Sequence, residues 1–283
     1  MADQLRALWD FDDLDTTERR LRDQLALETD DSAKAEVLTQ LARVEGLRDR
    51  FDAGDRLIDD AAGLAGDSAK ARARVDLERG RLRRSSGDGE AALPLFESAF
   101  AIALEADESF IAVDAAHMAA LVAPDPTGFI AWTQRGIELA EAHGDADYWL
   151  GPLLNNLGWQ YYEQGEFEQA LNAFEQALLA RERDPDNPEA AEIARYAVGK
   201  AMRALGRSGE AVPLLEQAVA WADSVDAPDG WLHEELAEEY AAVGRDDDAR
   251  VHARLAEPLL LAADPSFADD ADRVARLRSL AGD

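Results

Sequence analysis

Between residues 154 and 177 the chain places Leu154, Leu157, Gly158 and Tyr161 at i, i+3, i+4 and i+7, and then Gly165 followed by Ala170, Phe174 and Ala177. The first set forms one apolar stripe on a helix, and the second forms the facing stripe of another. Gly158 carries no side chain, so the second helix can approach closely at that level, with Ala170 as its small counterpart. Gly165 ends the first helix, because glycine enters the left-handed region without strain. The pattern predicts two helices joined by a tight turn. Such a pair cannot bury its apolar face alone, so similar pairs must stack on both sides of it.

The same register recurs downstream at Val198, Gly199, Met202, Gly206, Ala211, Leu215 and Ala218, and again at Leu236, Ala237, Tyr240, Gly244, Ala249, Ala253 and Ala256. Upstream it recurs at Gly80, Gly87, Ala92, Phe96 and Ala99, and at Leu38, Leu41, Ala42, Phe51, Ile58 and Ala61. Residues 109 to 144 keep helical periodicity around a loop at Ala123–Pro126 and count as a degenerate copy. Proline and glycine in Asp184–Pro188 and Asp226–Gly230 mark linkers between pairs.

The pattern resembles the tetratricopeptide repeat (TPR), whose unit is a helix-turn-helix of about 34 residues. The longer period here, the run from Ala177 to Arg183 before a proline-containing linker, and Asn155-Asn156-Leu157 resemble the kinesin-light-chain-like repeat subclass in repeat shape only. The whole chain is similar to soluble bacterial TPR proteins of unassigned function. The expected fold is an all-α, right-handed α-solenoid of about six TPR-like repeats with N- and C-terminal capping helices. Residues 1–34 are expected to form the N-terminal cap, with Asp15 and Glu18 starting its helix as a capping box and Trp9 and Phe11 anchoring it. The array is expected over 35–263, with repeats near 35–68, 73–107, 109–144, 151–184, 192–226 and 230–263, followed by the C-terminal cap over 264–283. Length alone permits two domains, but stacked repeats form one elongated unit without an internal boundary.

The balance of 29 basic against 59 acidic residues gives a formal net charge of −30, which opposes non-specific nucleic-acid binding. Lys34, Lys70 and Lys200 are the only lysines. That bias points to genome composition or to salt adaptation. Cysteine is absent, so disulfides, thiolate metal sites and cysteine nucleophiles are excluded. No apolar run approaches membrane-spanning length, and Met1–Arg6 lacks a signal-peptide core, so a cytoplasmic protein with no membrane partner is expected.

Signals for catalysis are weak throughout. His233-Glu234-Glu235 opens like a zinc-protease motif but lacks the second histidine. Ser85–Gly89 has no lysine to complete a phosphate loop and falls at an inter-helix turn. Asp10, Asp12, Asp13 and Asp15 lack the glycine and distal glutamate of a calcium loop, and Asp246–Asp248 sit where a helix start favours carboxylates. No catalytic residue, metal or cofactor is expected, and the chain is read as a non-enzyme.

Binding is the remaining role. In the TPR family, outward positions of the first helices line a concave groove that holds extended peptides or partner helices. By resemblance those positions here include Arg43, Arg81, His117, Asn155, Asn156, Trp159, Tyr162, Tyr196, Lys200 and Arg203. Over the whole set of such positions, six basic residues face three acidic ones, the reverse of the chain at large. An acidic or carboxylate-ended protein or peptide is therefore the expected partner. Family asparagines at the Asn156 position contact bound peptides, and Trp159 and Tyr162 offer amphipathic contact area. The alternatives are inter-repeat hydrogen bonding by the asparagines, half-buried packing by the aromatics and arginines that bridge neighbouring helices. At the level of function, the alternatives are a regulatory sensor whose solenoid changes shape on binding a small peptide or metabolite, and a carboxylate-based enzyme. Self-association through Trp9, Phe11 or the terminal helices is a further expectation.

Overall fold

The computed structural model describes residues 4–185 and 187–282. The start of the N-terminal cap at Met1–Asp3, Asp186 of the linker and Asp283 of the C-terminal cap lie outside them. The described residues are all-α, with no strand among them. A short 3-10 turn at Gln4–Leu8 leads into α1 (Leu14–Leu27). Six helix pairs follow: α2 (Asp31–Leu47) with α3 (Phe51–Leu64), α4 (Ala69–Ser85) with α5 (Gly89–Glu105), and α6 (Ser109–Ala120) with α7 (Pro126–Ala142). The remaining three are α8 (Leu150–Glu163) with α9 (Phe167–Arg181), α10 (Pro188–Ala204) with α11 (Ser208–Ser224), and α12 (Gly230–Ala242) with α13 (Asp246–Ala263); α14 (Ala271–Ala281) comes last. The fold is of the α-solenoid type. No helix among the described residues is long and apolar enough to cross a membrane.

Local chemistry explains where the helices start and stop. Asp13, Asp30, Ser68, Asp88, Asp125, Asn187, Asp229 and Asp270 each accept a hydrogen bond from a backbone N–H of the helix that follows. Part of the acidic excess is thus helix capping. The cap of α1 is Asp13, which accepts from Thr16 N at 2.9 Å, two residues before the expected Asp15. Asp15 and Glu18 instead hold Arg48 at the far end of α2. Gly165 turns α8 into α9 at φ +75°. Asp107 does the same between α5 and α6 at φ +57°, a conformation that aspartate tolerates better than most residues.

Packing within pairs turns on a missing side chain. A Cβ on Gly158 would lie 2.4 Å from the Phe174 ring, and one on Gly80 would lie 2.5 Å from the Phe96 ring. Both phenylalanines are fully buried. Leu215 fills the same space against Gly199. The tertiary contacts cluster into two compact units, Met1–Leu153 and Leu154–Asp283, where the repeat pattern alone set no boundary.

Candidate functional site

In the first unit one of the expected binding positions, Arg43, lies against another part of the chain. Trp9 stacks on Phe11 with ring centroids 4.9 Å apart, and the Arg43 guanidinium lies 5.0 Å and 5.4 Å from those two rings. Trp9 Nε1 donates to Gln40 Oε1 at 3.0 Å, and the Arg6 guanidinium sits 3.3 Å from the centre of the Tyr148 ring. Arg6, Trp9 and Phe11 therefore line one small cavity together with side chains from α2, α4 and α6, and from the 3-10 turn after α7. The sequence read Trp9 and Phe11 as an anchor but had no signal for where they dock, because their partners lie more than thirty residues away.

Below that layer the charges are already paired. Arg81 donates to Asp114 and lies 3.2 Å from Glu78, and both carboxylates are more than nine-tenths buried. His117 packs against Trp149 with centroids 5.3 Å apart. Burial pushes its imidazole down to about 4, with Arg81, Arg84 and Arg43 acting in the same direction and Asp114 opposing them. His117 is neutral at physiological pH.

The second unit presents a more open first-helix face. Asn155, Asn156, Trp159 and Tyr162 on α8 are half-buried. Trp159 meets Phe174 edge-on at 5.0 Å and Tyr162 at 5.6 Å, so its ring serves packing as well as surface. On α10, Lys200 lies 3.5 Å from Glu235 of α12, and Arg203 donates to the same carboxylate with both Nε and Nη2. Next to them Glu234 accepts from Arg273, and Glu238 accepts from Arg276, both arginines coming from α14. Four cations here face three carboxylates. Tyr196 lies among them with its phenol pushed up, first by burial and then by Glu235 and Glu234. The i to i+38 and i+39 pairs from α12 to α14 were invisible in the sequence, which set no charged partner against Glu234 or Glu238.

Beneath this face Glu239 is fully buried. Burial raises its carboxyl to about 7; Ser208 opposes the rise, and Glu235 adds to it. An acid raised in the folded state loses stability as pH climbs from its unfolded value of 4.5 through 7, because the unfolded chain ionises first. Glu239→Gln removes that penalty. Its thermal midpoint is expected to exceed the wild type at pH 8, by the equivalent of about 1–2 kcal/mol, and the gain is expected to vanish near pH 4.5. Scanning calorimetry of both proteins across that range checks the sign.

His233 on α12 and His252 on α13 meet Nδ1 to Nδ1 at 2.8 Å, a contact that nothing in their nineteen-residue separation announced. Burial lowers both imidazoles, so the pair is held by one donor and one acceptor nitrogen. Among the described residues no group of three or more metal-ligating side chains converges.

Residues 151–224 match the tetratricopeptide repeat family. The match covers the α8–α9 and α10–α11 pairs, where Gly158 against Phe174 and Gly199 against Leu215 show the small-against-large packing. Residues 151–224 carry tetratricopeptide repeats. The fold of the chain is similar to that of a signal transduction ATPase with numerous domains and a tetratricopeptide repeat sensor from Pyrococcus horikoshii, at TM-score 0.70 and 15% identity. That likeness covers 88% of this chain and 40% of the ATPase, so the chain spans less than half of that protein's length. It is also similar to the apo form of RapI, at TM-score 0.71 and 11% identity over 95% of this chain and 75% of RapI. BtubC from P. vanneervenii aligns at TM-score 0.63 and 15% identity over 79% of this chain and 93% of BtubC. No curated protein matches the chain in sequence. TPR arrays commonly mediate protein–protein interaction and are typically non-catalytic scaffolds, because stacked pairs build an extended surface for a partner.

Proposed function

We propose that this protein is a non-catalytic interaction module whose second unit holds a partner segment on the first-helix face of α8, α10 and α12. The observation that carries this reading is the Lys200–Arg203–Glu235 cluster, where two cations share one carboxylate in a chain of net charge −30. Local excess of one sign within a field of the other steers a ligand of matching charge. The preferred ligand is therefore an acidic or carboxylate-ended segment. Asn155 and Asn156 supply amides that can donate to and accept from an extended backbone, and Trp159 and Tyr162 supply contact area. Arg43, Arg81 and His117 stand apart from this role, since Trp9 and Phe11 pack on Arg43, buried carboxylates hold Arg81, and His117 packs against Trp149.

The test uses arrayed extended peptides of varied net charge, each with a free and an amidated C-terminus. Acidic and free-carboxylate peptides are expected to bind the whole protein. Lys200→Gln, which leaves Glu235 paired to Arg203, and Asn156→Ala are expected to weaken them by roughly tenfold, about 1.4 kcal/mol. Binding that ignores peptide charge, or that survives both substitutions unchanged, would overturn the proposal.

A further inference from the structure

Adjoining that face, α10, α11, the linker after α11 and the start of α12 enclose a cavity of about 330 Å³. Its walls are apolar and aromatic: Ile193 and Tyr196 come from α10, Trp221 from α11 and Trp231 from α12. Ile193 is 56% exposed and offers its side chain to the cavity mouth. Every charged group on the lining is a carboxylate, namely Glu189, Glu192 or Asp229. Aromatic walls combined with carboxylates suit a cation on an apolar stem, because ring faces attract positive charge and the stem fills the volume that water leaves.

The three carboxylates are not equivalent. Asp229 is committed to the helix, accepting from Trp231 N at 2.7 Å and Leu232 N at 3.1 Å. Glu189 is exposed at the rim. Glu192 is only 7% exposed, and its Oε1 accepts from Arg195, which also donates to Glu182. Two carboxylates thus share one guanidinium, and Glu192 Oε2 is left buried without a hydrogen-bond partner. A buried acceptor in that condition is costly, and an incoming N–H donor removes the cost.

We propose that this cavity is a subsite for a lysine or arginine side chain, with its stem between the aromatic rings and its charged head at Glu192. Its place on the partner rests on the reading above: the segment that meets Lys200 and Arg203 through a carboxylate also seats a basic residue here. Tyr196 and Arg203 are about 10 Å apart along α10 at the helical rise, and an extended chain covers that in about three residues. The recognised segment therefore sets a basic residue about three positions from an acidic residue or a free C-terminus.

Two arms test the cavity and the segment separately. In the first, n-butylguanidinium, n-butylammonium, n-butyrate and n-butanol are titrated into the full chain, with calorimetry and tryptophan fluorescence as readouts. The two cations are expected to bind roughly tenfold tighter than the other two probes. Glu192→Gln is expected to erase that margin, with Glu182 still pairing Arg195 and the helical circular dichroism unchanged. Equal affinity for all four probes, or a margin that survives Glu192→Gln and Glu189→Gln alike, overturns the subsite. In the second arm, peptides with arginine three residues from a carboxylate are compared with norleucine analogues. A loss of about tenfold on removing the guanidinium is expected. Cation probes that bind as expected beside peptides that do not bind would uphold the cavity's preference and overturn the segment reading.

Discussion

Arg81→Ala is expected to destabilise the first unit by about 3–5 kcal/mol, the range for removing one partner from a buried ion pair. Arg81 on α4 reaches Asp114 on α6 and lies beside Glu78 of its own helix, and Asp114 and Glu78 are 6% and 2% exposed. Deleting the guanidinium leaves two buried carboxylates without that partner in low dielectric, with Arg43 as a neighbouring cation. The deficit should therefore depend on pH. Carboxylates without a partner take up protons more readily in the folded state than in the unfolded one, so the variant recovers stability as pH falls. Urea denaturation at pH 7.5 and pH 4.5 checks both parts. Arg81→Met combined with Glu78→Gln and Asp114→Asn should lose less at pH 7.5 than Arg81→Ala alone, because no uncompensated charge remains. A triple variant as unstable as the single one would place the cost in packing rather than charge.

Gly158→Ala is expected to cost about 2 kcal/mol, even though alanine exceeds glycine in helix propensity by about 1 kcal/mol. The new methyl would lie 2.4 Å and 2.5 Å from two Phe174 ring carbons, and Phe174 is fully buried with Trp159 packed edge-on against it. The ring has nowhere to retreat. Phe174→Leu should cost about 1–1.5 kcal/mol alone, through lost apolar volume. The double variant should be more stable than the sum of the two single effects implies, because the smaller side chain makes room for the methyl. Full additivity in denaturation midpoints would show that the two side chains do not compete for one space.

The helix pairs were legible because their cause is local. Leu154, Leu157, Gly158 and Tyr161 face one way on any helix, and Gly158 against Phe174 needs only the turn at Gly165 to bring them together. The degenerate stretch from Ser109 to Ala142 was readable on the same grounds, since periodicity persists where the consensus fails. The start of α1 was misplaced by two residues because Asp13 and Asp15 are chemically alike, and only the backbone decides which one caps.

The candidate site was legible as positions and not as states. Repeat register placed Lys200 and Arg203 on a first-helix face, but their shared carboxylate at Glu235 lies 32 or more residues onward on another helix. The arginines of α14 that hold Glu234 and Glu238 lie 39 and 38 residues beyond them. Arg43 carried the same sequence signal as Lys200, yet Trp9 and Phe11 cover it. By itself the sequence determined the helices, their pairing, the repeat pattern and the net charge, because each follows from spacing or composition within one or two turns of chain. Tertiary structure alone decided which charges are already neutralised, which face residues 6–11 occupy and where a cavity opens between Tyr196, Trp221 and Trp231. Those depend on side chains that only packing brings within a few ångströms.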